Sequence, residues 1–422
     1  MARSILGKLF VALRLARRGI LLTVLRERMV ARAIRTTPVQ IFSRRRIEQF
    51  MRRRQGQRWI IVIDHDLGGG APQYREKMVR THVACGGAAL LVTYSPSKMA
   101  YIYEAQSRTG GLRAALPTLS VLERLAARFR VDDVFFNNAA AFPHPESLVE
   151  VLINISSVAD RSLTVASHDF YCLCPSLFLL DSAGRYCDLP DVGVCNKCLA
   201  RLNGELPVVG AGFDILEWRE TWGRLLRRAD KVLFFSTSTL DLFERVFPGL
   251  AAGRGQLVPH AMDDFPTQAI PLRKGEGLHI GVVGKIGLHK GARVVEGLAR
   301  AIKSQGDSAK VTVFGEISEK IELNGVAITG RYKRGELPEL IRKSGANVFL
   351  VPSIVPETFS YVTHELMRLQ LPLICFNLGA QAEAVRSYEF GEVIHQVEGI
   401  DLLAAIREAQ RKLEKRVFPL SP

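Results

Sequence analysis

The sequence contains no uninterrupted apolar run that is long enough to cross a membrane. A transmembrane helix needs roughly 18 to 20 predominantly apolar residues, and the N-terminal candidates are broken by charges at Lys8, Arg14, Arg17 and Arg26. The same interruptions remove the apolar stretch that a secretory signal requires. We therefore expect a cytoplasmic protein without a membrane span.

Acidic residues are nearly missing from the first 54 positions. This segment has one lysine and fourteen arginines but only Glu27 and Glu48, so it carries a net charge of +13, out of +15 for the whole 422-residue chain. The remaining residues hold 42 basic and 40 acidic side chains. This near balance argues against a protein whose whole body binds nucleic acid. The excess charge belongs to an N-terminal arm.

Large apolar residues such as Leu9, Leu13 and Val24 are interspersed among the arginines of this arm. Cations beside an apolar strip suit the surface of an anionic membrane, so we expect residues 1–54 to hold the protein on the inner face of the cytoplasmic membrane. A solvated tail, a helix packed on the body and an organellar transit peptide are alternatives. Nucleic-acid contact through residues 44–46 and 52–54 is a further one, but nucleic-acid tails rarely need large apolar residues.

After the arm, short apolar runs alternate with helical patterns. Runs such as residues 59–63 and 163–166 are typical of strands buried on both faces of a parallel sheet. The pattern stops in a stretch rich in proline and glycine and restarts at His279. The sequence thus predicts an α/β protein with two doubly wound, Rossmann-like domains. Ligands of such sheets bind beyond the carboxyl ends of the strands, which predicts a site in a cleft that the two domains face.

We predict the following division of the chain: a basic amphipathic arm at 1–57, a first Rossmann-like domain at 58–262 with a cysteine-rich insertion at 172–198, a linker at 263–278, a second Rossmann-like domain at 279–400, and a C-terminal helix and tail at 401–422.

A glycine-rich segment with two lysines follows the predicted strand that begins at His279. It contains Gly284, Lys285, Lys290 and Gly291 and leads into a predicted helix. Glycines permit close approach, and a helix N-terminus attracts anions, so the segment is typical of a phosphate cradle. Its spacing matches neither the P-loop nor the dinucleotide fingerprint. An exposed turn with solvated lysines fits the same residues.

Two glutamates lie eight residues apart after the predicted strand at 347–351. Glu357 precedes a predicted helix and Glu365 lies within it. Both carboxylates can reach one extended ligand, and carboxylates suit paired sugar hydroxyls. Solvated acids on a helix surface are the alternative.

These two segments together resemble the retaining glycosyltransferases of family 4, which have the GT-B fold. The resemblance covers roughly residues 58–415. It implies that Lys285 and Lys290, with Gly284, hold the diphosphate of a nucleotide-sugar donor, and that Glu365 binds the ribose hydroxyls. It also implies that Glu357 contacts the transferred sugar as a catalytic residue.

The resemblance further implies that backbone N–H groups around Phe359, Ser360, Tyr361 and Val362 complete the phosphate site. Two departures stand out. Many family members carry a glycine in this turn, and many carry arginine where this chain has Lys285. An ammonium lacks the bidentate grip of a guanidinium.

The first predicted domain is the acceptor side in this resemblance. Gly69 and Gly70 belong to a loop that brings backbone close to a ligand. His168 follows the predicted strand at 163–167, and in similar glycosyltransferases a histidine there faces the sugar and the acceptor. We therefore assign His168 a catalytic role, although a histidine by itself is more often structural.

Retention of configuration comes from the resemblance alone. It implies front-face displacement without a covalent carboxylate intermediate. The lysines and the helix dipole would offset the charge that grows on the departing nucleoside diphosphate, so we expect no catalytic metal.

Five of the seven cysteines fall between positions 172 and 198. Cys174, Cys187, Cys195 and Cys198 could hold a structural zinc ion in an irregular loop. Iron–sulfur ligation and reduced, partly buried thiols are alternatives. The segment resembles an insertion of some surface-polysaccharide glycosyltransferases, and its position beside His168 implies that it shapes the acceptor pocket.

Taken together, the sequence predicts a membrane-associated retaining glycosyltransferase. It would transfer a sugar from a nucleotide-sugar donor to a lipid-linked or growing cell-surface glycan, as in polysaccharide, lipopolysaccharide or capsule biosynthesis. The alternative is a noncatalytic GT-B scaffold that holds a glycan or a nucleotide. The presence of Glu357, Glu365, Lys285 and Lys290 favours the enzyme.

Overall fold

A computed structural model describes most of the chain. The described residues are 40–41, 44–65, 69–96, 98–140, 142–158, 161–202, 214–272, 277–319, 321, 323–396 and 398–417. Most of the predicted basic arm therefore lies outside the described residues.

The chain forms two compact units that are not continuous in sequence. Unit 1 comprises the described residues up to Leu177, together with Leu189–Phe234 and Phe243–Gln256. Unit 2 comprises Phe178–Asp188, Phe235–Leu242 and the described residues from Leu257 onward.

Within the described residues, unit 1 is organised around one nine-stranded sheet. Its order is β1-β5-β4-β3-β2-β6-β7-β8-β9. The strands are β1 (Gln40–Ile41), β2 (Trp59–Ile63), β3 (Ala88–Ser95), β4 (Ala100–Ser107), β5 (Gly110–Leu116), β6 (Asp133–Phe136), β7 (Ser162–Ala166), β8 (Lys231–Phe234) and β9 (Gly255–Leu257).

The centre of this sheet is parallel, as the buried apolar runs predict. All five residues of β2 are buried, and β2 pairs in parallel with β3 and β6. The sequence analysis missed β4 and β5, which form an antiparallel extension of β3 with Tyr94 opposite Tyr101. The two-residue β1 then pairs in parallel with β5.

Helices flank the sheet of unit 1. They are α1 (Arg44–Arg52), α2 (Gly70–Ala84), α3 (Ser120–Arg128), α4 (Pro145–Ser156), α5 (Val192–Arg201), α6 (Ile215–Arg228) and α8 (Leu250–Arg254), while α7 (Thr237–Val246) begins in unit 2 and ends in unit 1. Residues 44–52 of the predicted arm thus form a helix, which buries Ile47 and Met51. The side chains of Asp191 and Asp214 cap α5 and α6.

Unit 2 contains a six-stranded parallel sheet. Its order is β12-β11-β10-β13-β14-β15, and every pair in it is parallel. The strands are β10 (His279–Ile286), β11 (Lys310–Ile317), β12 (Val326–Ile328), β13 (Val348–Val351), β14 (Leu373–Phe376) and β15 (Gly391–Ile394).

The connecting helices of unit 2 are α9 (Ala292–Ser304), α10 (Leu337–Ser344), α11 (Tyr361–Arg368), α12 (Gly379–Arg386) and α13 (Gly399–Val417). Apolar residues of α9 and α13, such as Leu298 and Ile406, join the strands in one hydrophobic core. The predicted α/β class and the two parallel-sheet domains are confirmed.

The predicted linker at 263–278 is partly ordered against unit 2. Phe265 and Ile270 are buried, and the Ile270 N–H donates to the Leu369 carbonyl at 3.1 Å. Among the described helices, none has the length and apolar content that a membrane span requires.

Candidate functional site

The glycine-rich segment Gly284–Gly291, here called the donor loop, spans the end of β10 and the turn before α9. Gly291 begins that helix with a φ of 83°. A Cβ at position 291 would overlap the carbonyl oxygen of Pro352, so only glycine fits. The Ile354 N–H also donates to the His289 carbonyl at 3.1 Å. These contacts fix the donor loop against the segment after β13.

Two predicted site residues meet across these segments. The Lys290 ammonium lies 2.9 Å from Glu357 Oε2. Burial disfavours the ionised carboxyl of Glu357, but Lys290 and hydrogen bonds from Lys290, Ser353 and Ser360 outweigh it, so the pKa of Glu357 lies below its usual value. Glu357 is therefore an ionised carboxylate near neutral pH. The Lys290 side chain is 34% exposed, so an anionic ligand can reach it.

The segment that carries Glu357 is held by Gln381 of α12. Gln381 is fully buried. Its Oε1 accepts from the Glu357 N–H at 2.9 Å, and its Nε2 donates to the Val355 carbonyl at 2.8 Å. The sequence analysis did not identify Gln381, because nothing in the local pattern distinguishes a buried glutamine from an exposed one. Its amide sets the backbone direction at the predicted catalytic carboxylate.

Ser360 occupies the turn where many family 4 members carry glycine. Its φ of 64° is left-handed, a conformation that costs a residue with a side chain about 1–2 kcal/mol. Ser360 is buried, and its hydroxyl lies 2.8 Å from that of Thr363. The turn directs the chain into α11, which begins at Tyr361 and Val362, and the N–H groups at the start of a helix lie outside the intrahelical hydrogen-bond pattern. Such N–H groups suit phosphate.

Glu365 is held by an arginine that the sequence analysis missed. Arg334 forms an ion pair with Glu365 and another with Asp264 at 2.6 Å. Glu365 is buried. Burial raises the pKa of Glu365, and the Arg334 guanidinium lowers it in part. A signal for Arg334 was present, since it follows β12 at the same edge of the sheet as the other loops.

The remaining predicted residues of unit 2 take different positions. Lys285 is exposed. Gly284 packs against α11, because a Cβ there would lie 3.6 Å from Val362 Cγ2. Phe359 is buried and stacks on His364, with ring centroids 4.1 Å apart. The structure thus gathers the donor loop, Glu357 and the N-terminus of α11 within unit 2.

In unit 1, three loops at the carboxyl ends of strands share a polar network. His168, after β7, has its Nε2 2.9 Å from Asn137 Oδ1, after β6. Asn137 in turn donates to the Ala71 carbonyl at 3.0 Å. The ring of Tyr74 meets His168 edge-on at 5.1 Å. Asn137 was not predicted, although its position directly after a buried strand was a usable signal.

A buried ion pair adjoins this network. Asp64, after β2, lies 2.8 Å from Arg75 Nη1, and both side chains are buried. Burial raises the pKa of Asp64 to about 6, against the opposing effects of Arg75, Asn137 and the His65 N–H. Gly69 follows with a φ of 97° and forms the N-cap of α2, whose first residue is Gly70. The predicted glycines therefore do mark a tight loop-to-helix turn.

The predicted zinc site at the cysteines is not confirmed among the described residues. All seven lie in described residues, and none forms a disulfide. Among the described residues, no group of three or more His, Cys, Asp or Glu side chains is arranged to hold a metal ion.

Burial raises the pKa values of the Cys174 and Cys195 thiols, and the nearby Cys198 thiol acts on both in the same direction. Cys187 lies in unit 2, while Cys174, Cys195 and Cys198 belong to unit 1. Zinc stays a prediction of the sequence.

Comparisons with known proteins place the C-terminal part of the chain. Residues 266–417 match the family Glycosyl transferases group 1. A comparison with curated proteins found no significant match.

Among solved structures, the chain resembles sucrose-phosphate synthase from Thermosynechococcus elongatus, with 15% identity, a TM-score of 0.53 and coverage of 85% of this chain and 93% of that chain. It also resembles the apo form of the lipopolysaccharide outer core galactosyltransferase WaaB, with 11% identity, a TM-score of 0.52 and coverage of 84% and 91%. A third is Anabaena HepE in complex with UDP, with 14% identity, a TM-score of 0.50 and coverage of 85% and 95%.

At these identities the structural likeness establishes the fold, and the predicted GT-B fold is confirmed. The family match over residues 266–417 confirms the predicted glycosyltransferase class.

Proposed function

We propose that this protein is a retaining glycosyltransferase that uses a nucleotide-sugar donor and extends a lipid-linked or growing cell-surface glycan. The observation that carries the proposal is the ion pair between Lys290 and Glu357, which holds a cation and an ionised carboxylate side by side at the start of α9. The ammonium of Lys290 supplies the positive charge that a diphosphate requires. The carboxylate of Glu357 can accept hydrogen bonds from the hydroxyls of the transferred sugar.

The donor diphosphate would bind where positive charge and N–H groups converge. Lys290 supplies an ammonium beside the N-terminus of α9, and the first turn of α11 supplies N–H groups near Ser360. Lys285 adds a second ammonium from the same loop. These groups would offset the charge that develops on the departing nucleoside diphosphate.

The nucleoside would be recognised through Glu365. Arg334 holds one carboxylate oxygen, Oε1, and opposes the raised pKa that burial gives this carboxyl. The other oxygen, Oε2, would accept hydrogen bonds from the ribose hydroxyls. Arg334 thus gives the predicted ribose carboxylate a positioning partner that the sequence analysis did not include.

Glu357 and His168 would act on the reacting sugar. Glu357 would accept hydrogen bonds from hydroxyls of the transferred sugar, and ionisation at neutral pH makes it a strong acceptor. His168, held by Asn137 in unit 1, would contact the sugar or the acceptor hydroxyl. Retention without a covalent intermediate rests on the family 4 resemblance.

The membrane role would fall to the basic arm. In its described part, α1 exposes Arg44, Arg45 and Arg46 while it buries Ile47 and Met51. This arrangement leaves a cationic cluster on the surface of unit 1, which supports contact with anionic lipid at the cytoplasmic membrane face.

The decisive experiment is a donor screen of the full chain. Thermal stability and sugar release are measured with UDP-, GDP-, dTDP- and CMP-sugars, and then repeated with Glu365→Gln and Lys290→Ala. We expect one donor class to stabilise the protein and to be hydrolysed, and both variants to lose this response. Binding without any turnover, even with glycan acceptors added, would favour the noncatalytic scaffold. No binding of any donor would refute the proposal.

A further inference from the structure

Part of the cysteine-rich insertion belongs to unit 2. Phe178–Asp188, here called the strap, is assigned to unit 2, although Leu177 before it and Leu189 after it belong to unit 1. The strap is a hairpin. Leu180 and Tyr186 form an antiparallel bridge, and the Cys187 N–H donates to the Leu179 carbonyl at 2.9 Å.

The tip of the hairpin is bonded within itself. The Asp181 carboxylate accepts hydrogen bonds from the Ala183 and Arg185 N–H groups at 2.8 and 2.9 Å. The strap is therefore a defined element rather than an irregular connection, and its contacts with the rest of unit 2 can be specific.

The strap packs directly on the donor loop. The ring of Phe178 stacks on that of His289, with centroids 3.9 Å apart and planes 2° from parallel. At the tip, a Cβ on Gly184 would lie 3.7 Å from Leu288 Cδ2. Leu180 packs against the hydrophobic core of unit 2. Two successive residues of the donor loop thus rest on the strap.

The backbone is strained at both ends of the strap. Leu177 and Leu179 have φ values of 66° and 55°, and Asp188 and Leu189 have values of 48° and 53°. Left-handed conformations are unfavourable for side chains of this size, and they persist only where surrounding contacts determine them. Such strain clusters at functional sites, and here it brackets the residues that reach the donor loop.

His289 connects the strap to the charged pair of the site. Its ring lies on Phe178, its carbonyl accepts from the Ile354 N–H, and the next residue is Lys290. Burial and the adjacent Lys290 lower the pKa of His289 to about 4, so the ring is neutral at physiological pH and adds no charge of its own. The contact of this ring with the strap is the stack on Phe178.

We propose that Phe178 is a positioning residue for the donor: by stacking on His289 it holds the donor loop so that Lys290 meets the diphosphate of the nucleotide sugar. This inference rests on the proposed function. It assigns to the insertion a role in donor binding, in addition to the acceptor-side role that the sequence predicts.

The test measures nucleotide affinity in the full chain by calorimetry, with UDP, GDP, dTDP and CMP, the nucleotides of the donor screen, as probes. Phe178→Ala should weaken binding of the preferred nucleotide about three- to tenfold, as expected for loss of one aromatic pair. Phe178→Leu keeps apolar bulk but removes the stack, and it should behave similarly. Phe178→Tyr keeps an aromatic ring and should bind the nucleotide with wild-type affinity. Arg185→Ala, which changes an exposed residue of the same hairpin, is the matched control and should bind like the wild type.

A double-mutant cycle separates positioning from general stability. If Phe178 acts through the donor loop, Phe178→Leu should weaken nucleotide binding in the wild-type background. In the Lys290→Ala background, the same substitution should weaken it by about twofold or less. Equal losses in both backgrounds would overturn the inference, as would wild-type affinity in both Phe178→Ala and Phe178→Leu. If Phe178→Ala does not fold, Phe178→Leu decides. A wild-type protein that binds none of the four nucleotides would overturn the proposed function and this inference together.

Discussion

Gly291 and Pro352 approach so closely that position 291 has no room for a Cβ atom. The contact joins the donor loop to the segment that carries Glu357, and it therefore sets the distance between Lys290 and Glu357. The geometry of the charged pair depends on a residue that has no side chain.

Gly291→Ala should destabilise the protein and abolish nucleotide binding. Gly249 is a matched control, because it has the same φ of 83° and also begins a helix, yet a Cβ there meets nothing within 4 Å. Each alanine substitution should lower the free energy of unfolding by about 1 kcal/mol, because the backbone is left-handed at both positions. Only Gly291→Ala adds a steric overlap. Thermal unfolding and nucleotide titration check this. Equal effects of the two substitutions would contradict the steric explanation.

The stability of the protein should depend on pH through His289. Its pKa falls from an ordinary value near 6.5 to about 4 on folding. The unfolded chain therefore binds the proton first, and stability is lost as pH falls between these values. His289→Phe keeps a ring against Phe178 without a titrating group. Between pH 7 and pH 5, the wild type should lose about 2 kcal/mol more unfolding free energy than this variant.

Urea unfolding at the two pH values gives this difference, and other titrating groups, such as Asp64, cancel in the comparison. If the unfolding free energies of the wild type and His289→Phe changed equally with pH, the pKa of His289 would not be lowered on folding.

Arg334→Ala should make nucleotide binding sensitive to mild acid. Burial already raises the pKa of Glu365, and removal of the guanidinium raises it further. The protonated carboxyl is a weaker partner for ribose hydroxyls, so affinity should fall more steeply with decreasing pH than in the wild type. Arg331→Ala is the control, since Arg331 is exposed and pairs with Glu316. The same pH profile in all three proteins would remove Glu365 from the binding site.

Ser360→Gly should be more stable than Ser360→Ala by about 1 kcal/mol. Both substitutions remove the hydroxyl that contacts Thr363, but only glycine relieves the strain of a φ of 64°. The difference between the two variants gives the free-energy cost of the left-handed backbone, and denaturant unfolding measures it. If alanine proved as stable as glycine, position 360 would not adopt the left-handed conformation in solution.

Removal of residues 1–39 should release the protein from anionic vesicles. This segment carries nine basic side chains and one acidic side chain, and the deletion spares α1 and the pairing of β1 with β5. Cosedimentation with vesicles that contain anionic lipid, compared with neutral vesicles, measures the effect. Leu9→Ser with Leu13→Ser separates the alternatives, because lipid binding requires the apolar residues and nucleic-acid binding does not. Unchanged vesicle binding in the deletion would refute a membrane role for residues 1–39.

The sequence predicted the parallel core of each sheet because continuous apolar runs leave few alternatives. Trp59–Ile63 and Val348–Val351 are fully buried strands in the expected places. It did not predict β4 and β5. Neither strand shows a regular alternation, since β4 is largely buried and β5 is mostly exposed at its start and buried at its end, and this burial depends on α1 and on neighbouring strands.

The candidate site was predictable where its residues lie directly after strands. Lys290 and Glu357 were predicted and do meet. Arg334, Gln381 and the stack of Phe178 on His289 were missed, because each depends on contacts between residues far apart in the chain. The cysteine spacing drew attention to possible metal ligands, and it carried no information about the aromatic ring beside them.

Unit 2 draws its residues from three separate stretches of chain, with a consequence for any attempt to isolate it. A fragment that starts at Leu257 would contain all of the matched family segment, yet it would lack the ring that lies on His289 and the Leu180 side chain on the core. It would also lack the Thr237 and Ser238 N–H groups that Glu383 accepts at 3.1 and 3.0 Å. The smallest piece of this protein that folds with an intact donor loop should therefore begin before residue 178.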